Sequence, residues 1–138
     1  MLESGFQSKL KSEGDFICYF SCLIHIAEVE TGFSFEPWTV LELCAMRGYI
    51  LYNFKDYSDF DNFTVQEPAK ILELLTNKKW IYRKELDPKY KAKKGEYDIR
   101  RWVKGNNNHF NLPDWDSLQK SVCATEGKIE SHRIFKLA

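Results

Sequence analysis

The chain has 138 residues, of which 43% are hydrophobic, 15% aromatic and 29% charged, with no long biased tract. That length suits one sizeable core, so a single domain spanning 1–138 is expected, and a disordered chain or a two-domain layout is not. Twenty basic residues balance twenty acidic ones, which removes the whole-chain attraction that nonspecific nucleic-acid binding relies on.

The opening stretch, MLESGFQSKLKSEG, lacks the basic start, continuous apolar run and small-residue cleavage site of a signal peptide, and no run is long enough to cross a bilayer. A cytoplasmic protein without membrane contact is expected. From Phe16 to Val29 the sequence FICYFSCLIHIAEV is apolar on nearly every side and free of Gly and Pro, the pattern of a helix in the middle of a fold. Ser12, Glu13 and Asp15 supply cap-type and acidic residues upstream, and Gly32 ends the run. A second helix is signalled by SFEPWTVLELCAMRG, with Pro37 at a first helical position and Gly48 closing it. A third runs from about Glu67 to Asn77, with Ile71, Leu72, Leu74 and Leu75 on its buried side. Between these two, YILYNFKDYSDFDNF reads as a short extended piece followed by an acidic, aromatic loop. Its carboxylates, Asp56, Asp59 and Asp61, lack the spacing, glycine and closing glutamate of a calcium loop, so the loop reads as solvated.

After Asn77 the pattern changes to strands: KKWIYRKEL, EYDIRRWVKG, HFNLP and SHRIFKLA carry aromatic and β-branched residues with turn residues between them. Helices first and strands afterwards predict an α+β fold with an antiparallel sheet. The basic stretch KYKAKKGE, 89–96, reads as the solvated tip of a hairpin.

If Asp15 is the N-cap, Cys18 takes the third helical position, where free N–H groups and the helix dipole favour a thiolate while burial opposes it. A cysteine nucleophile also needs a base within reach and a group to orient that base. His25 lies about two turns further along the same helix, too far to take the Cys18 proton, and reads as a core histidine. His132, in the alternating strand ESHRIF, faces the side opposite Arg133 and reads as an exposed strand histidine. His109 follows GNNN at the mouth of a strand, with Asn111, Asp114 and Asp116 nearby as orienting groups.

Cys18, Cys22, Cys44 and Cys123 sit in apolar surroundings without a CxxC pair and read as reduced thiols. Cys18, Cys22 and His25 share a helix face and, with His109 or Cys123, would make up a zinc set. Buried cysteines and a histidine on a core helix are commonplace, however, and neither metal nor cofactor is expected. The PDWDS segment also reads as a turn, with Asp114 and Asp116 binding backbone N–H groups and Trp115 packing.

A cysteine at the head of a central helix and a histidine entering a later antiparallel sheet resembles the layout of papain-like cysteine peptidases. The similarity is to their small bacterial and phage members, the bacteriocin-processing peptidase-like domains and a related group with an N-terminal GCYF.SL signature. The matching stretches are ICYFSCL, 17–23, and NHFNLPDWDS followed by EGKIESHRIF; the order of elements matches over most of the chain. The resemblance implies a papain-like α+β fold, an N-terminal central helix and two further helices packed on a C-terminal antiparallel sheet. It implies a thiol hydrolase of a peptide or amide bond, with Cys18 as nucleophile, His109 as general base, Asp114 or Asp116 as the orienting carboxylate and Asn111 as the fallback. Two departures stand out: Ile17 replaces the glycine these domains commonly carry, and the span from His109 to either aspartate is short. For the oxyanion-hole glutamine the upstream candidate is Gln7, eleven residues before Cys18. The hydrolase reading requires the Cys18 sulfur and a His109 ring nitrogen to approach within about 4 Å.

The same scaffold also suits a binding module, such as a phage-encoded protein that blocks a host defence protein, contacting its partner through Tyr57, Phe60 and Phe63 of the 56–63 loop. A DNA reader built of three helices and a β-wing fits the order of elements but not the charge. Its second and third helices carry Glu36, Glu42, Glu67 and Glu73 against Arg47 and Lys70. The expected partner is thus a peptide or protein substrate, or a protein partner, and not nucleic acid.

Overall fold

The computed structural model describes residues 15–51, 64–117 and 126–138. Three helices come first, α1 (Asp15–Thr31), α2 (Pro37–Met46) and α3 (Pro68–Thr76), and a short antiparallel ribbon of β1 (Ile50–Leu51) and β2 (Thr64–Val65) lies between α2 and α3. A four-stranded antiparallel sheet follows: β3 (Trp80–Glu85), β4 (Glu96–Lys104), β5 (Asn107–Asn111) and β6 (Lys128–Leu137). The protein is α+β, as the order of helical and alternating patterns predicts.

Helix α1 buries Cys18, Tyr19, Phe20, Ser21, Cys22, Leu23, Ile24, Ile26 and Ala27, so its all-round apolar sequence is matched by burial on nearly every side. It ends where Gly32, at φ 76°, donates its N–H to the Glu28 carbonyl at 2.8 Å, a left-handed terminus that glycine adopts without steric cost. Asp15 is itself helical rather than the cap. Helix α2 begins at Pro37, and the Glu36 carboxylate accepts the N–H groups of Trp38 and Thr39 at 2.8 and 3.0 Å, satisfying two donors that helical geometry leaves unpaired. In α3, Ile71 and Leu72 are buried while Leu74 and Leu75 pack at the margin of the core.

The strand order in the sheet is β3-β6-β4-β5, which corrects the hairpin expected at 89–96. β3 and β4 both run antiparallel to β6, which lies between them, so residues 86–95 form a crossing connection rather than a hairpin tip. The physical reason is in β6: Ser131, His132, Arg133, Ile134 and Phe135 are buried in succession, a pattern that an interior strand covered on both faces satisfies and a one-sided strand does not. His132 is therefore buried, not exposed. Its Nδ1 is 2.7 Å from the Asp98 carboxylate on the neighbouring strand, and its Nε2 is 3.1 Å from the Pro88 carbonyl in the crossing connection.

β5 is an edge strand, and α1 packs against it and against α3. The Tyr19 ring stacks on Phe110 at 4.8 Å, and the Cys22 thiol donates to the Phe110 carbonyl at 3.7 Å. Helix α1 thus covers strand backbone that would otherwise stand open. No helix among the described residues is long and apolar enough to cross a membrane.

Candidate active site

β5 begins at Asn107, which puts His109 inside the strand rather than at its mouth. Side chains alternate along a strand, so His109 and Asn111 share one face and Phe110 takes the other. With Tyr19 fixed on Phe110, its neighbour in the helix meets the neighbour of Phe110 in the strand: the Cys18 sulfur lies 2.9 Å from His109 Nδ1. This is inside the limit the hydrolase reading sets.

The other ring nitrogen finds its partner through a tight turn. Leu112 and Trp115 exchange backbone hydrogen bonds, the Leu112 N–H to the Trp115 carbonyl at 2.8 Å and the Trp115 N–H to the Leu112 carbonyl at 3.3 Å. The chain doubles back over Pro113 and Asp114, and Asp116 Oδ1 arrives 2.6 Å from His109 Nε2. The turn is what makes so short a span from histidine to carboxylate workable. Asp114 sits exposed at its tip. Asn111, the fallback for orienting the imidazole, instead donates its Nδ2 to Asp116 Oδ2 at 3.1 Å.

His109 and Cys18 are each 2% exposed. Burial alone pushes the imidazole pKa down, but the hydrogen bond to Asp116, with the hydrogen bond and charge of Cys18, outweighs it and raises the pKa to about 9. At neutral pH the ring carries its proton and has an acceptor at each nitrogen, the sulfur on one side and the carboxylate on the other. The other described thiols are held neutral. Burial, with the charges of Cys18 and Asp116, drives Cys22 well above the ordinary thiol value, and burial pushes Cys44 up to about 12 despite the nearby Arg47.

His25 is half-buried and stacked on Trp115, with ring centroids 4.3 Å apart and planes at 8°. It therefore braces the turn that delivers Asp116 and is not a core histidine; burial lowers its pKa, with Asp114 and Glu28 opposing. Among the described residues no group of three or more His, Cys, Asp or Glu side chains is arranged to hold a metal ion. Of the residues in the zinc set, the Cys22 thiol is directed to the Phe110 carbonyl and His25 stacks on the Trp115 ring. Gln7, Cys123, Tyr57, Phe60 and Phe63 lie outside the described residues. Sequence reading missed the His132–Asp98 pair and the contact of Trp102 with Asn111, whose indole N–H donates to Asn111 Oδ1 at 2.8 Å. No local signal announced the first: Ser131, His132 and Arg133 are polar, and nothing in SHRIF marks a strand buried on both faces.

A protein-family model described as "Protein of unknown function, DUF261" matches residues 7–137. The chain belongs to the DUF261 family. No curated protein and no solved structure matches it. The DUF261 match spans Cys18, His109 and Asp116, and its description assigns them no activity; the chemistry rests on the arrangement itself, a thiol, an imidazole and a carboxylate in hydrogen-bonded series.

Proposed function

We propose that this DUF261 protein is a papain-like thiol hydrolase that cleaves a peptide or amide bond. The observation that carries the reading is the 2.9 Å approach of Cys18 to His109, whose far nitrogen is held by Asp116. With the proton already resident on His109 Nδ1 beside it, the Cys18 sulfur attacks the substrate carbonyl carbon. As the tetrahedral intermediate collapses, the C–N bond breaks and the Nδ1 proton goes to the leaving amine, giving a thioester on Cys18. His109 then takes a proton from water, whose oxygen attacks the thioester; the C–S bond breaks, and the acid product leaves with the Cys18 sulfur freed and the proton back on His109 Nδ1. Asp116 keeps the ring oriented and balances the imidazolium charge throughout. The free thiols of Cys18, Cys22 and Cys44 support a reducing, cytoplasmic setting.

The test is alkylation of Cys18 by iodoacetamide across pH, read by mass spectrometry, in wild type, Cys18→Ser and His109→Ala. Cys18 is expected to react faster near neutral pH than a free model thiol, and His109→Ala is expected to abolish the difference. A wild-type rate no faster than the model thiol overturns the hydrolase reading. The near-complete burial of Cys18 and His109 favours a second reading, a papain-like scaffold used as a protein-binding module with a sealed Cys–His pair. A partner complex of fixed stoichiometry that survives Cys18→Ala decides for it.

A further inference from the structure

We infer that Asn111 and Trp102 are positioning residues that act on the thiol through Asp116 and His109, so that one chain of hydrogen bonds runs from the middle of the sheet to Cys18. The inference rests on the hydrolase reading for its purpose, though not for its geometry. The links are Trp102 Nε1 to Asn111 Oδ1 at 2.8 Å, Asn111 Nδ2 to Asp116 Oδ2 at 3.1 Å, Asp116 Oδ1 to His109 Nε2 at 2.6 Å and His109 Nδ1 to Cys18 Sγ at 2.9 Å.

The direction of the chain follows from donor and acceptor chemistry. An asparagine amide has an accepting end and a donating end that look alike, and only its partners tell them apart. The indole N–H can only donate, so the end of Asn111 facing Trp102 is the oxygen and the NH₂ end faces Asp116. A carboxylate can only accept, which agrees. With Oδ2 occupied by Asn111, Asp116 presents Oδ1 to His109, and both oxygens are tied. A carboxylate held at one oxygen pivots; held at both, it fixes the plane of the ring it supports, and with it the line from Nδ1 to the sulfur.

Trp102 is held in turn. It stands directly opposite His109 in the β4–β5 ladder, so the two share a face of the sheet. At the same point the β4–β6 pairing skips Glu130, Arg101 pairing with Ser131 and Trp102 with Ile129; a bulge of this kind re-aims the side chains beside it. The Arg100 guanidinium lies over the indole with its carbon 5.3 Å from the ring centroid. Asn111 is buried, and a buried amide has to be satisfied somewhere. If satisfaction were its whole role, changing it would alter stability and leave the imidazole untouched.

The experiment therefore reads His109 directly. Its titration midpoint is measured by ¹H–¹⁵N NMR of the imidazole in wild type, Trp102→Phe and Asn111→Leu, beside the iodoacetamide rate of Cys18 and the thermal midpoint of each protein. Trp102→Phe keeps an aromatic side chain at the position while removing the donor with the pyrrole half of the indole, so it carries the test even if Asn111→Leu does not fold. We expect the His109 midpoint to fall by about one pH unit, and the Cys18 rate at pH 7 to fall by up to about tenfold, as Asp116 loses its alignment. An unchanged midpoint overturns the inference, and so does a raised one, the result if His109 alone holds an Asp116 made more basic by loss of a donor. Because the midpoint is read without any reaction, an unreactive Cys18 with a falling midpoint would sink the hydrolase reading and keep the positioning chain, while a reactive Cys18 with an unmoved midpoint would do the reverse.

Discussion

Asp114 and Asp116 have identical side chains two positions apart, and the imidazole touches Asp116 because the Leu112–Trp115 backbone pair turns the chain between them. That choice was illegible in the sequence: both aspartates flank Trp115, and what separates them is which peptide groups pair. Cys18 and His109 were legible as individuals, since a helix start and a polar histidine at a strand are local patterns. Their contact was not. The protonation of His109 has a consequence for stability. In the folded chain the ring keeps its proton up to about pH 9, against the usual 6.5 expected when unfolded. Between those values unfolding releases a proton, so the stabilisation is fully present below 6.5 and is lost as pH rises through about 9. The thermal midpoint of wild type minus that of His109→Gln is expected to shrink over that window, and a difference that grows with pH would refute the assignment.

At the scale of elements, the second buried histidine shows what period-two reading cannot see. Alternation along ESHRIF places His132 opposite Arg133, which is right about faces and wrong about exposure, because it assumes one wet face. β6 has none over Ser131–Phe135, because Pro88 and Tyr90 of the crossing connection lie on the His132 face and Tyr19 of α1 lies against Phe135 on the other. His132 links three pieces of chain, its own strand, Asp98 of β4 and Pro88 of the crossing connection, with the Tyr90 ring edge-on at 5.9 Å. Removing one partner of such a pair leaves a buried carboxylate uncompensated. His132→Leu is expected to cost about 3–5 kcal/mol in urea unfolding, and adding Asp98→Leu to recover part of that loss. A double variant as unstable as the sum of the singles would show that the two do not act as a pair. Helix α1, by contrast, was readable almost to its ends, because an all-round apolar run with a closing glycine has few other solutions.

For the molecule as a whole, the class was legible and the wiring was not. Helical then alternating patterns announce α+β, but the insertion of the last strand between β3 and β4 depends on contacts remote in sequence, where local propensity carries no information. The candidate site is the product of that wiring: a thiol from α1 and an imidazole from β5, 91 positions apart, brought into register by the Tyr19–Phe110 stack one residue along from each. The covering of β5 by α1 has a further consequence. If α1 lifts away, the thiol leaves its base and, in the same motion, a bare strand edge is offered to any other chain that can add to it. Loss of thiol reactivity and self-association are thus two readings of a single opening. In mild urea, the fall in Cys18 alkylation and the onset of light scattering are expected at the same concentration; scattering that begins while Cys18 still reacts at its native rate would locate the sticky surface elsewhere.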